Sequence, residues 1–262
     1  MPLVEHLYEL RNRLGKGLLA IVIGMVLVGG FFYQPVFDFI REPYCRTAAV
    51  PHGCPLYVRD IFGQFQVRLR VAGIAGTVLT SPIWLYQIGA FITPALHRKE
   101  RRYAAAFLGS SLILFGAGVL CAYVTMDKGL QFLLTVGGSG LVSLPDLQSY
   151  LSFATLTLLA FGFSFLFPVV LMFLNVVGLL PATRMRGMWR GMIVGIAIFT
   201  AVITPSTDPF TFFAMAIPIW ILYGVCLVLA LVLDRRKGSG EDYSELADDE
   251  TSYVDPSPSP LA

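Results

Sequence analysis

Six stretches of this chain are apolar for long enough to cross a lipid bilayer, at approximately 15–38, 70–92, 103–126, 149–177, 189–204 and 209–233. A helix needs about 20 such residues to span the hydrocarbon core. Only 14% of residues are charged, against about a quarter in soluble domains, so the whole chain is built for lipid. The N-terminus carries Glu5 and Glu9, lacks a small-residue cleavage site, and leads into an apolar run long enough to stay in the bilayer. No cleavable signal is therefore expected. The fold class expected is an all-α integral membrane protein with six transmembrane helices over 15–235. Residues 1–14 precede it as an amphipathic cytoplasmic helix, and residues 236–262 follow as a disordered, acidic, Pro/Ser-rich cytoplasmic tail.

Charge placement gives the orientation. The stretch Tyr86–Arg102 runs from apolar sequence into His97, Arg98, Lys99, Glu100, Arg101 and Arg102 before another apolar run begins. With Arg11, Arg13 and Lys16, Arg184, Arg186 and Arg190, and Arg235, Arg236 and Lys237, alternate connections hold thirteen of the nineteen cations. Short loops rich in Lys and Arg stay in the cytoplasm, so both termini are expected there. Leu3, Leu7, Leu10 and Leu14 form one stripe of the N-terminal helix. Glu9 and Arg13 stand in the favourable i,i+4 order on another.

The longest connection, roughly 39–69, contains Pro43, Pro51 and Pro55 between short apolar pieces and reads as a folded external cap. Cys45 and Cys54 both lie in it, and an oxidising compartment makes a Cys45–Cys54 disulfide the expected pairing. Cys121 and Cys226 fall in apolar runs and are expected as buried small hydrophobes. Pro168 and Pro218 are expected to kink the fourth and sixth spans. The fifth span holds only about 13 apolar residues between Arg190 and Thr204, about 20 Å against a core of about 30 Å.

Catalysis finds no support in these residues. His6, His52 and His97 all lie in connections, no metal-ligand spacing occurs, and no glycine-rich phosphate loop opens a helix. No catalytic residue, metal or cofactor is expected, and nothing points to nucleic acid. A small-solute secondary transporter is the alternative from another class, and a structural scaffold a third. Coupled transporters carry ionisable groups near mid-membrane, and the span centres here hold mainly Thr, Ser and Gly. What remains is a pair of carboxylates on one membrane face, Glu9 and Glu100, each set among cations. Planar carboxylates suit guanidinium ligands, because bidentate charge-assisted hydrogen bonds fit that geometry.

Four separated motifs resemble the TatC family, the multispanning receptor subunit of the twin-arginine translocase. They are His6-Leu7-Tyr8-Glu9-Leu10-Arg11-Asn12-Arg13-Leu14; Ser81-Pro82 through Gln87, Phe91, Pro94-Ala95-Leu96 and Glu100-Arg101-Arg102; Asp146 with Ser149-Tyr150-Leu151-Ser152-Phe153; and Thr204-Pro205 through Asp208. The resemblance implies a concave, glove-like bundle braced by the external cap. It implies that Glu9 and Glu100 receive the paired arginines of a folded precursor's signal peptide, with Phe91 and Pro94 shaping the site and Arg11 and Arg13 supporting it. Structural or partner contacts are implied for Pro43, Gln87, Tyr123, Asp146, Thr204, Pro205 and Asp208. The implied partners are the single-span subunits TatA and TatB, several copies per complex, in a bacterial cytoplasmic membrane, with transport driven by the proton-motive force. Two positions depart from the family pattern: Leu166, two residues before Pro168, and Phe212, four past Asp208, are apolar where many members carry Glu and Gln.

Overall fold

The computed structural model describes residues 3–47, 58, 60–92, 101–135, 146–176, 178, 180–204 and 208–237. These form ten helices: α1 (Leu3–Phe31), α2 (Tyr33–Thr47), α3 (Gly63–Leu79), α4 (Ser81–Ile92), α5 (Arg101–Thr135), α6 (Leu147–Ser164), α7 (Phe167–Val176), α8 (Ala182–Gly187), α9 (Trp189–Ile203) and α10 (Pro209–Lys237). Among the described residues there is no strand. Four segments are long and apolar enough to cross a bilayer: Leu7–Phe31, Phe107–Phe132, Leu147–Val176 and Pro209–Asp234. The bent pair Gly63–Leu79 and Ser81–Phe91 makes a fifth if counted as one span. The short apolar helix Trp189–Ile203 occupies the fifth expected stretch and covers about 22 Å.

The structure departs from the sequence reading at two helix breaks and agrees with it at a third, ahead of Pro168. The run at 70–92 is two helices, bent by 56° at Thr80. The physical reason stands in Thr80-Ser81-Pro82: Pro82 has no N–H for the carbonyl four residues earlier and crowds the preceding turn. The indole N–H of Trp84 donates to the Thr77 carbonyl across the bend at 3.0 Å, restoring a bond the break had cost. The first apolar run ends as α1 at Phe31, and residues expected at its tail belong to α2. Residues Phe165 and Leu166 interrupt the fourth run just ahead of Pro168, whereas Pro218 sits inside the uninterrupted α10.

Helices α1 and α3 cross through two glycines. A Cβ on Gly76 would meet the Met25 backbone nitrogen at 2.6 Å, and one on Gly24 would meet the Gly76 carbonyl oxygen at 3.0 Å. Between apolar helices in lipid, such close backbone approach supplies the packing that hydrophobicity cannot. Gly118 and Gly162 admit α5 to α6 in the same way. The central core gathers Tyr150, Phe161, Met126 and Leu151 with Met215 and Ile219 of α10. A second cluster, Trp84, Leu85 and Phe115, sits at the α3–α4 bend with Leu166 against it.

Helix α2 begins the connection expected to form a cap, and it is pinned twice. Tyr150 donates its hydroxyl to the Ile40 carbonyl at 2.6 Å, buried. Pro43 lies within α2 and removes the N–H that the Phe39 carbonyl would have received. Tyr123 donates to that carbonyl at 3.1 Å, and its ring stacks on Phe39 with centroids 4.3 Å apart. Arg46 pairs with Glu42 at 2.6 Å. The hydrogen bond and charge of Glu42 push that guanidinium further above its ordinary value. Cys45 is disulfide-bonded, while Cys121 and Cys226 are free thiols. Cys54 lies outside the described residues.

Candidate functional site

Residues between Leu10 and Ile21 of α1 and between Trp84 and Phe91 of α4 wall a groove of about 460 Å³. Leu10, Leu14 and Gly17 line one side; Ile88 and Phe91 line the other; Thr77, Trp84 and Phe163 complete the lining. Trp84 packs against Gly17, where an added Cβ would come within 3.4 Å of the Trp84 Cβ. Arg13 and Gln87 are among the lining residues, yet the surface they present to the groove is apolar. The bend at Thr80 shapes the groove, because it turns α4 off the α3 axis while α4 still packs against α1.

Arg13 is tied to Glu9, as the i,i+4 order predicts. Its Nε and one terminal nitrogen donate to the same carboxylate oxygen, Oε1, at 2.9 and 2.7 Å. Among the described residues no donor reaches Oε2 of Glu9. Both side chains are about 30% exposed, 28% for Arg13 and 31% for Glu9, so the pair sits at a boundary and not in a core. Arg11 turns away from the groove and lies over the exposed ring of Tyr8, 4.9 Å from its centroid. Phe91 and Gln87 join Arg13 in one groove. Pro94 and Glu100 lie outside the described residues, as does Pro205.

The remaining expected residues cluster at the far ends of the helices. Asp146 occupies the N-cap position of α6 in extended conformation. Thr204 ends α9 with its hydroxyl donating to the Thr200 carbonyl at 2.5 Å. Asp208 is buried and accepts from the Thr211 N–H at 2.6 Å through Oδ2, which caps the start of α10. Its Oδ1 and the Thr211 hydroxyl are buried without a partner. Phe212 packs edge-on against Phe213, so the position that carries an amide in many family members contributes no hydrogen bond here. Neither Trp84 nor the Asp234–Ala182 contact was expected from sequence. The signal for the first was the Ser81-Pro82 break; the second joins residues 52 apart, beyond any local pattern.

A family model described as Sec-independent protein translocase protein (TatC) matches residues 5–218. The chain belongs to the TatC family. It is 44% identical to the TatC of Frankia casuarinae over 268 residues, covering 97% of this chain and 73% of that protein. It is 32% identical to the TatC of Corynebacterium kroppenstedtii, covering all of this chain and 69% of the relative. A crystal structure of the twin-arginine translocase receptor TatC superimposes with a TM-score of 0.72 at 30% identity, spanning 88% of this chain and all of that one. As a TatC protein, this chain is a multi-pass membrane component of a protein translocase and not an enzyme.

Proposed function

We propose that this chain binds the Arg-Arg signal peptide of folded precursor proteins at the cytoplasmic face, with Glu9 and Glu100 as the carboxylates that receive the two guanidinium groups. The observation that carries the reading is continuity between charge and groove. The Glu9–Arg13 pair stands at the mouth of an apolar channel of about 460 Å³. Signal peptides join a cationic start to an apolar stretch, which suits a carboxylate followed directly by an apolar trough. Arg13 holds Glu9 by one oxygen and leaves the other for the ligand; Phe91 supplies the wall that the apolar stretch meets. Arg11 acts at longer range, through the charge of its exposed guanidinium.

In this reading the chain spans the bacterial cytoplasmic membrane six times with both termini inside, following the cation bias. The short α9 counts as a full span, the N-terminal surface helix and the first span are one continuous helix, α1, and an acidic cytoplasmic tail follows α10. Partner helices of TatA and TatB dock along α9 towards Thr204, where Val202 is 79% exposed, and several copies assemble per complex. Transport draws on the proton-motive force, and this chain hydrolyses no nucleotide. Cys45 pairs with Cys54, which stiffens the cap that α2 forms.

The test is site-specific photocrosslinking from position 88, inside the groove, with twin-arginine and twin-lysine precursors. Wild type should crosslink the arginine form far more strongly, and both Glu100→Ala and Glu9→Gln should lose that adduct while remaining inserted. Undiminished crosslinking in both variants overturns the assignment of the site.

A further inference from the structure

We infer that the chain is built as two bodies, α1–α6 and α7–α10, which swing about the joint at Phe165–Leu166 and part the seam between α5 and α10. At the joint the helical ladder fails over one turn. Pro168 has no N–H for the Ser164 carbonyl. The Leu166 N–H donates to the Phe163 carbonyl at 3.1 Å, and those of Val169 and Val170 both go to the Leu166 carbonyl, at 3.0 and 3.1 Å. The carbonyls of Gly162, Ser164 and Phe165 have therefore lost the donors a continuous helix would supply. A bend here has no such bonds left to break. Side chains divide at the same place. Leu166 packs on the Trp84–Phe115 cluster, while Phe167 stacks on Phe199 of α9 with centroids 5.9 Å apart.

Polar contacts respect the same division. In the first body Tyr150 and Tyr123 hold α2, Arg68 donates to the Gly29 carbonyl, and Arg70 reaches the Gln148 carbonyl. In the second, α10 is the anchor. Cys226 donates to the Pro168 carbonyl at 3.0 Å, Tyr223 to that of Met185 at 3.0 Å, and Trp220 to that of Ile193 at 3.2 Å. Asp234 accepts from the Ala182 N–H at 2.7 Å. Among the described residues, no side-chain hydrogen bond or ion pair runs from one body to the other. The close backbone approaches at Gly24, Gly76 and Gly118 also fall within the first body.

What joins the bodies is apolar. Met215 and Ile219 of α10 share a core with Tyr150 and Leu151, and Phe173 meets Phe107 edge-on at 5.4 Å. Parting such helices in lipid exchanges side-chain contacts for acyl chains of the same polarity, whereas dividing either body costs hydrogen bonds. The closed seam also holds an unmade bond. The Thr211 hydroxyl is buried without a partner and faces Gly129, whose added Cβ would come within 2.9 Å of it. At the joint the Ser164 hydroxyl is likewise buried and unpartnered. Opening relieves a cost that the closed arrangement carries. Phe165 lies against Gly118, and Gly129 stands about 16 Å further along α5. A hinge rotation of about 15° therefore parts the seam at Thr211 by about 4 Å. The swing concerns packing alone and stands apart from the receptor reading.

The experiment uses the full-length protein in lipid nanodiscs, spin-labelled through p-acetylphenylalanine so that its own cysteines stay as they are. Double electron–electron resonance between positions Val124 and Phe213 reads across the seam. The pairs Val124 with Leu156 and Ile198 with Ile217 lie within the first and second bodies, and all five positions are exposed. The seam pair should give two distances about 4 Å apart, and each internal pair a single one. A disulfide closed through Gly129→Cys/Thr211→Cys should remove the longer distance, and reduction should restore it. Should that variant fail to fold or oxidise, Pro168→Ala, which returns an N–H to the Ser164 carbonyl, should shrink the longer population. A seam distance as single and narrow as those of the internal pairs overturns the proposal. So does equal splitting of an internal pair, or a longer distance that survives both variants.

Discussion

Gly76→Ala tests whether the groove depends on how closely α1 and α3 approach. An added Cβ would stand 2.6 Å from the Met25 backbone nitrogen, against an ordinary contact limit of 3.4 Å. Backbone cannot swing aside as a side-chain end can, so the crossing has to open by roughly 0.8 Å, an overpacking that typically costs about 1–3 kcal/mol. Alanine returns up to about 1 kcal/mol through its higher helix propensity. The net loss of about 1–2 kcal/mol should lower the melting temperature by about 2–8 °C at this chain length. Gly116→Ala is the control, since nothing lies within 4 Å of its position; it should leave the melting temperature unchanged or raise it. Tryptophan-emission melts of the two variants, purified in one detergent, give the comparison. Because Thr77 follows directly on Gly76 and lines the groove, Gly76→Ala should also weaken crosslinking of a signal peptide from position 88. Equal melting temperatures for both variants would refute the close-crossing argument.

The cap offers two further checks. Tyr123→Phe removes the hydroxyl donor to the Phe39 carbonyl and should cost about 1 kcal/mol; in a Pro43→Ala background the restored N–H takes that carbonyl, so the cost should vanish. An identical Tyr123→Phe penalty in both backgrounds would dissociate Tyr123 from the proline. The Cys45–Cys54 pairing predicts that a thiol-specific mass tag reaches these two positions only after reduction, and tagging of both without reductant would exclude the bond.

Legibility in the sequence followed the range of the interaction. Apolar runs and the Glu9–Arg13 spacing are local, and they read correctly as an all-helical membrane chain with an ion-paired N-terminal helix. Gln87 and Phe91 were named from a motif, yet nothing local says that they face Arg13. The break at Thr80 was visible in Ser81-Pro82, but hydropathy ran unbroken through it and masked the bend.

By itself the sequence determined the solvent this protein lives in, its helices and its family motifs, because hydrocarbon thickness, backbone satisfaction and cation placement act along the chain. Tertiary structure alone decided that Gly24 meets Gly76, that Tyr123 answers for Pro43, and that Asp234 holds α8 beside α10. Each of those is a contact between helices far apart in sequence. In lipid, where apolar surface does not discriminate one helix from another, only the shapes and hydrogen-bonding groups that meet can choose the arrangement.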